Sequence, residues 1–229
     1  METGAPDWTG LNWKVETTSR FNLLYPGGKI LFKDDFESGV FSWESGGVGT
    51  ETVGLTTSKP FSGAAAAQLK TGNVINDTAF MERNMGYVAG GKMGLQFAYT
   101  ARCDDDFSIE IQVYFWEGTK VYYGRIKREW ADSEWYYYDS TGEWAVLPGA
   151  TQYLYYDASC YNRIKVVFDF TKGTYFTLYS NNEKYDMSNL AMNPWFGGTS
   201  EYLYVKLLVT TKSANNAYFV IDDLMVTEE

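Results

Sequence analysis

Lys29 to Trp43 reads KILFKDDFESGVFSW, and near the other end of the chain Ala217 to Thr227 reads AYFVIDDLMVT. Each is an apolar run of strand length carrying an acidic pair. Placed in one sheet, these first and last core strands would bring Asp34, Asp35 and Glu37 near Asp222 and Asp223.

Between them the chain reads as strand after strand. Candidate strands are 29–36, 48–56, 64–70, 78–88, 92–102, 107–117, 119–130, 134–139, 143–147, 161–170, 174–180, 201–211 and 217–227. Alternation is plainest where Ile109, Ile111, Val113 and Phe115 face one way and Glu110, Gln112, Tyr114 and Trp116 the other. The same period recurs at Ile164, Val166, Phe168 and Phe170, and at Leu203, Val205, Leu207 and Val209. Gly90-Gly91, Glu117-Gly118, Ser140-Thr141-Gly142, Lys172-Gly173 and Asn181-Asn182 supply turns. Residues 187–199, with Asn193, Pro194, Gly197 and Gly198, read as a long loop. No stretch holds a helical period. Many short antiparallel strands without crossover helices predict an all-β, two-sheet sandwich of the jelly-roll kind.

Composition bounds the rest. A chain of 229 residues with 45% hydrophobic content can fill one core. We therefore expect one jelly-roll domain over 29–229, preceded by an arm, 1–28, that Tyr25-Pro26-Gly27-Gly28 closes like a hinge. Within the domain, an aromatic-rich hairpin insertion is expected around 130–156. The net charge of −10 argues against nucleic acid and anionic lipid as partners. No window approaches the ~20 apolar residues of a membrane span. The N-terminal twenty residues lack the basic start and apolar middle of a signal peptide, so the chain is expected to stay in the cytoplasm or to leave it by a route other than a cleaved signal. Cys103 and Cys160 allow one disulfide or two buried thiols, of which thiols are the preferred reading.

The order DDFESGVFSW, PFSGAAAAQLKTG, GYVAGGKMGLQFAYTA and YFVIDDLMV resembles jelly-roll carbohydrate-binding modules and their concanavalin-like lectin relatives. In that pattern an acidic strand ends in Phe-Glu, a Gly-Trp element follows, and a Ser-Gly strand leads to a Gly-Lys hairpin; an Asp-Asp strand closes it. The match covers roughly 29–102 and 161–227 and leaves the middle third unmatched. The resemblance implies the fold, and it implies a structural calcium ion tying the first strand to the last. Calcium takes 6–8 oxygen ligands. Glu37 and Asp222 are the first candidates here, with Asp35 next.

Catalysis has little to work with. There is no His, which removes the usual nucleophile pairs and the near-neutral base. The Glu-x-Asp-x-Glu cluster of jelly-roll glycosidases does not occur, and Glu110 reads as isolated on its strand. Jelly-roll lyases usually gather Arg, Gln, His and Tyr; Arg125, Gln112 and Tyr122 are present without the His. The chain is expected not to be an enzyme.

Its peculiarity is aromatic. Trp135, Tyr136, Tyr137 and Tyr138 are consecutive, so one face of that strand goes to a core while the other is covered or exposed. We expect ligand or partner contacts at Trp130, Trp135, Tyr137, Trp144 and Tyr155, with Trp8 and Trp13 docking the arm on this chain or on a neighbouring subunit. Two functions follow. The first expectation is a structural, oligomeric assembly subunit of a virion, such as a capsid-decoration or head- or tail-associated protein assembled in host cytoplasm, whose partners are copies of itself or other particle proteins. The alternative is a carbohydrate-binding module, extracellular, stacking a glycan on exposed Trp and Tyr.

Overall fold

The computed structural model describes residues 28–86, 91–102, 106–117, 120–152, 154, 160–196 and 202–229. Among these residues there are sixteen strands and no helix. The first sheet contains β1 (Lys29–Asp34), β3 (Thr52–Thr56), β4 (Ala66–Lys70), β6 (Lys92–Arg102), β11 (Asn162–Asp169), β12 (Thr174–Ser180), β13 (Glu183–Asp186) and β16 (Tyr218–Glu228). The second contains β2 (Glu44–Val48), β5 (Thr78–Asn84), β7 (Phe107–Glu117), β8 (Lys120–Glu129), β9 (Glu134–Tyr138), β10 (Trp144–Thr151), β14 (Asn193–Phe196) and β15 (Tyr202–Thr211). Strand order is β13-β12-β11-β6-β16-β4-β3 with β1 on β16, and β10-β9-β8-β7-β15-β5-β2 with β14 on β8. All pairings are antiparallel. The fold is therefore the expected two-sheet antiparallel β-sandwich.

The two sheets meet on their apolar faces. Ile109, Ile111, Val113 and Phe115 of β7 and Leu203, Val205, Leu207 and Val209 of β15 are buried, opposite Leu95 and Phe97 of β6 and Ile164, Val166 and Phe168 of β11. Phe115 stacks on Phe170 at 4.8 Å, and Phe97 and Tyr99 each meet the edge of Phe219. Each such side chain contributes about 1.5–3 kcal/mol by leaving water. Gly124 of β8 makes room for this packing, since a Cβ there would lie 2.3 Å from the Phe168 ring.

Lys29 to Trp43 and Ala217 to Thr227 do meet. β1 runs against the second half of β16, from Lys29 opposite Glu228 to Asp34 opposite Leu224. The expected strand over 48–56 is instead two strands, one in each sheet, because Gly49 at φ +100° breaks it and carries the chain across the sandwich edge. The expected loop over 187–199 contains β14, which pairs Asn193–Phe196 with Lys120–Tyr123. Glu183–Asp186 adds a further short edge strand, β13. The aromatic hairpin, β9 and β10, extends the second sheet at its edge. The arm over 1–28 lies outside the described residues except for Gly28, as does Cys103. Cys160 is a free thiol and is exposed, which corrects its reading as a buried one.

Candidate functional site

Outward-pointing residues of the second sheet form two adjacent rows. In the first, Trp195 of β14 stands opposite Val121, which stands opposite Trp116, itself opposite Tyr202; beside them Tyr123, Tyr114 and Tyr204 line up across β8, β7 and β15. The rings touch in sequence. Trp195 lies 6.1 Å from Tyr123, Tyr123 meets Tyr114 edge-on at 4.5 Å, Tyr114 meets Tyr204 at 5.5 Å, and Trp116 stacks on Tyr202 at 4.2 Å and 20°. Trp195 is 52% exposed, while Val121 beneath this row is wholly buried.

The second row is polar. It runs from Trp144 and Tyr138 through Arg125, Gln112 and Lys206 to Glu82 and Glu44, with Glu110, Lys127 and Tyr136 two residues along their strands on the same face. At ~4.8 Å per strand it crosses roughly 30 Å of sheet. One oxygen of Glu110 takes Nε and Nη2 of Arg125, both at 2.7 Å, and Nε2 of Gln112 at 2.8 Å. The Tyr114 hydroxyl donates to Gln112 Oε1 at 2.5 Å. Lys206 meets Glu82 at 2.7 Å and Lys127 meets Glu129 at 2.6 Å. Arg125 also lies 4.5 Å above the Tyr138 ring and 4.9 Å from that of Trp144. Glu110, expected to be isolated, is thus the hub of a cross-strand network.

Electrostatics on this face favour protonated tyrosines. Burial pushes Tyr114 up to about 12 and raises Tyr123, and Tyr204 is raised by burial together with its hydrogen bond and proximity to Glu82. Burial pulls Arg125 down, but the charge and hydrogen bond of Glu110 outweigh it and leave the guanidinium above its ordinary value.

Of the residues expected to bind, Trp144 lies on this face. Trp135 is wholly buried and belongs to the core between the sheets, so it presents no ring to a ligand. Tyr137 points the same way and packs edge-on against Tyr175 at 5.8 Å. Trp130 stacks on Phe107 at 4.4 Å and packs against the core from the turn after β8. Tyr155, Trp8 and Trp13 lie outside the described residues. Trp195, Trp116, Tyr123, Tyr202, Tyr136 and Tyr138 are not among the residues expected to bind, although counting outward from the Glu117-Gly118 turn places Tyr114 opposite Tyr123 and Gln112 opposite Arg125.

The acidic ends form a separate constellation. Asp222 is wholly buried, and its carboxylate accepts the amides of Phe61 at 2.8 Å, Ser62 at 2.9 Å and Asp223 at 2.7 Å. Burial pushes it up to about 7, and burial also raises Asp223, with Asp35 and Glu37 adding to that. Glu37 accepts the amides of Ala64 and Ala65 at 2.8 and 2.9 Å, while Asp35 sits 3.4 Å from Lys33. Among the described residues no group of three or more acidic side chains is placed to hold a metal ion. The Asp222 and Glu37 carboxylates are engaged by backbone amides, and that of Asp35 faces Lys33.

No protein-family model matches the chain. No curated protein matches it either. Solved structures do share the fold. An endo-β-1,4-glucuronan lyase from the fungus Trichoderma reesei aligns with a TM-score of 0.62 at 12% identity, over 88% of this chain and 96% of that one. The cellulose-induced protein Cip1 aligns with a TM-score of 0.59 at 16% identity, over 86% and 97%. A legume lectin-like domain from Entamoeba histolytica aligns with a TM-score of 0.52 at 11% identity, over 82% and 90%. At these identities the likeness is one of fold.

Proposed function

We propose that the outward face of the second sheet binds carbohydrate and performs no chemistry on it. The observation that carries this reading is the exposed Trp195 at the head of a continuous aromatic row, flanked by a row of hydrogen-bonding groups locked in place by one another. Sugar rings offer apolar faces and hydroxyl edges, and a flat ring beside fixed donors and acceptors matches both. The glucuronan lyase and the lectin-like domain, by their names, handle glycans on a related sandwich, which supports the reading by analogy.

Binding is favoured over turnover by the chemistry of the face. The chain has no His, and the tyrosines whose ionisation is shifted on this face are shifted upward, away from the range of a general base. Particle assembly, the first expectation, rested on Trp8, Trp13 and an aromatic lobe. Within that lobe Trp135, Tyr137 and Trp130 are spent on the core.

The test is titration calorimetry against a panel of soluble polysaccharides, with Trp195→Ala alongside. The variant should lose about 1–2 kcal/mol, roughly 5–30-fold in affinity, with an unchanged melting temperature. Binding that survives the change intact would move the ligand off this face. Release of reducing ends or of unsaturated products on prolonged incubation would overturn the non-catalytic reading.

A further inference from the structure

Among the described residues every cation on this face is paired, and that bears on which glycan the face would accept. Among the described residues three cations stand on the outward face of the second sheet: Arg125, Lys127 and Lys206. Each is within 2.7 Å of a carboxylate, Arg125 of Glu110, Lys127 of Glu129 and Lys206 of Glu82. Each is also covered by a ring. Arg125 lies against Tyr138 and Trp144, Lys127 sits 4.6 Å above Trp144, and Lys206 sits 3.3 Å above Phe80. Against these three cations the described residues of the same face carry five carboxylates, since Glu44 and Glu134 share its register with Glu82 and Glu129.

A site for an acidic glycan presents a cation to each uronate or sulfate, as guanidinium groups do for carboxylates elsewhere. Here every such cation among the described residues already has its carboxylate, and an incoming anion would have to displace it within a chain whose net charge is −10. We infer that this face takes a neutral polysaccharide and discriminates against polyuronates, with Glu110 and Glu82 as the residues that enforce the choice by masking Arg125 and Lys206. The inference rests on the reading of this face as a glycan site.

Matched probes separate the two. Oligosaccharides of β-1,4-linked glucose, galactose and mannose are titrated beside the corresponding oligomers whose C6 hydroxymethyl is a carboxylate, at low and at physiological salt. Neutral oligomers should bind at least about tenfold more tightly, with little salt dependence. Equal or tighter binding of the uronates, weakening as salt rises, would overturn the inference and leave the glycan reading standing. Binding of neither series would overturn the glycan reading and the inference with it. Glu110→Gln and Glu82→Gln each release one cation, and in each the ratio of uronate to neutral affinity should rise about tenfold. An unchanged ratio in both variants, with cooperative melting retained, would refute the masking role.

Discussion

Replacing Asp222 by Asn removes a buried titratable group while keeping one acceptor oxygen, and this should change how stability depends on pH. Asp222 is wholly buried, holds the amides of Phe61, Ser62 and Asp223, and is pushed from 3.8 to about 7 by burial. Because its folded value lies above its unfolded one, the folded state retains a proton that the unfolded state has released. The associated stability is fully present below about pH 4 and is lost as the pH rises to 7. At about 1.4 kcal/mol per tenfold, the span corresponds to a ceiling of about 4 kcal/mol. Asparagine cannot titrate and gives up one acceptor, which costs about 1–3 kcal/mol at every pH. Wild type should therefore be the more stable at pH 4.5 and should lose that lead, relative to Asp222→Asn, by pH 7.5. At about 2–4 °C per kcal/mol the relative change should reach several degrees. Urea melts or calorimetry of both proteins at half-unit pH steps measure it, and carboxylates shared by both cancel in the difference. Parallel curves would refute the account, because they would mean that Asp222 is ionised throughout and stabilised by something other than the three amides.

A bridging cation would do that, and it provides the second test: with the Asp222 and Glu37 carboxylates engaged by backbone amides, excess chelator should leave the melting temperature unchanged, whereas a fall of several degrees would support a metal on Asp35, Glu37 and Asp222. Trp135→Ala should cost about 3–5 kcal/mol in denaturant melts as a core truncation. Glycan affinity measured well below the transition should be retained in that variant, whereas a selective loss of binding would return Trp135 to the surface.

The period-two alternation made the sandwich legible, and Ile109 to Phe115 and Leu203 to Val209 fall on the core side as read. What escaped lay at edges. Asn193–Phe196 contains a Pro and only four residues, so its local signal is that of a loop; its pairing with Lys120–Tyr123 is a tertiary fact. That edge carries Trp195, the most exposed large ring on the candidate face. The run Trp135 to Tyr138 posed a different difficulty, because four consecutive aromatics define two faces without saying which is inner. The answer comes from β8, where Ile126 stands opposite Tyr137 and Lys127 opposite Tyr136, so the register of a neighbouring strand sends Trp135 and Tyr137 inward. Glu110 was misread for the same reason, its partner Arg125 being fifteen residues away but on the adjacent strand.

The ladder of ion pairs on the second sheet is poorly explained by stability. Exposed pairs contribute about 0–1 kcal/mol, and burying one often gains nothing over an apolar replacement of the same shape. An outward face that had only to stay soluble could carry Thr, Lys and Glu without rings beneath them. Here Arg125 is gripped by Glu110 on one side and faced by Tyr138 and Trp144 on the other, while Gln112 is held by Glu110 and Tyr114 at once. Side chains fixed this way have already lost the rotamer freedom that a ligand would otherwise have to remove, about 0.5–1.5 kcal/mol for each. The network makes physical sense as preorganisation for a ligand that forms many weak polar contacts, and a hydroxyl-rich chain lying across the strands is such a ligand.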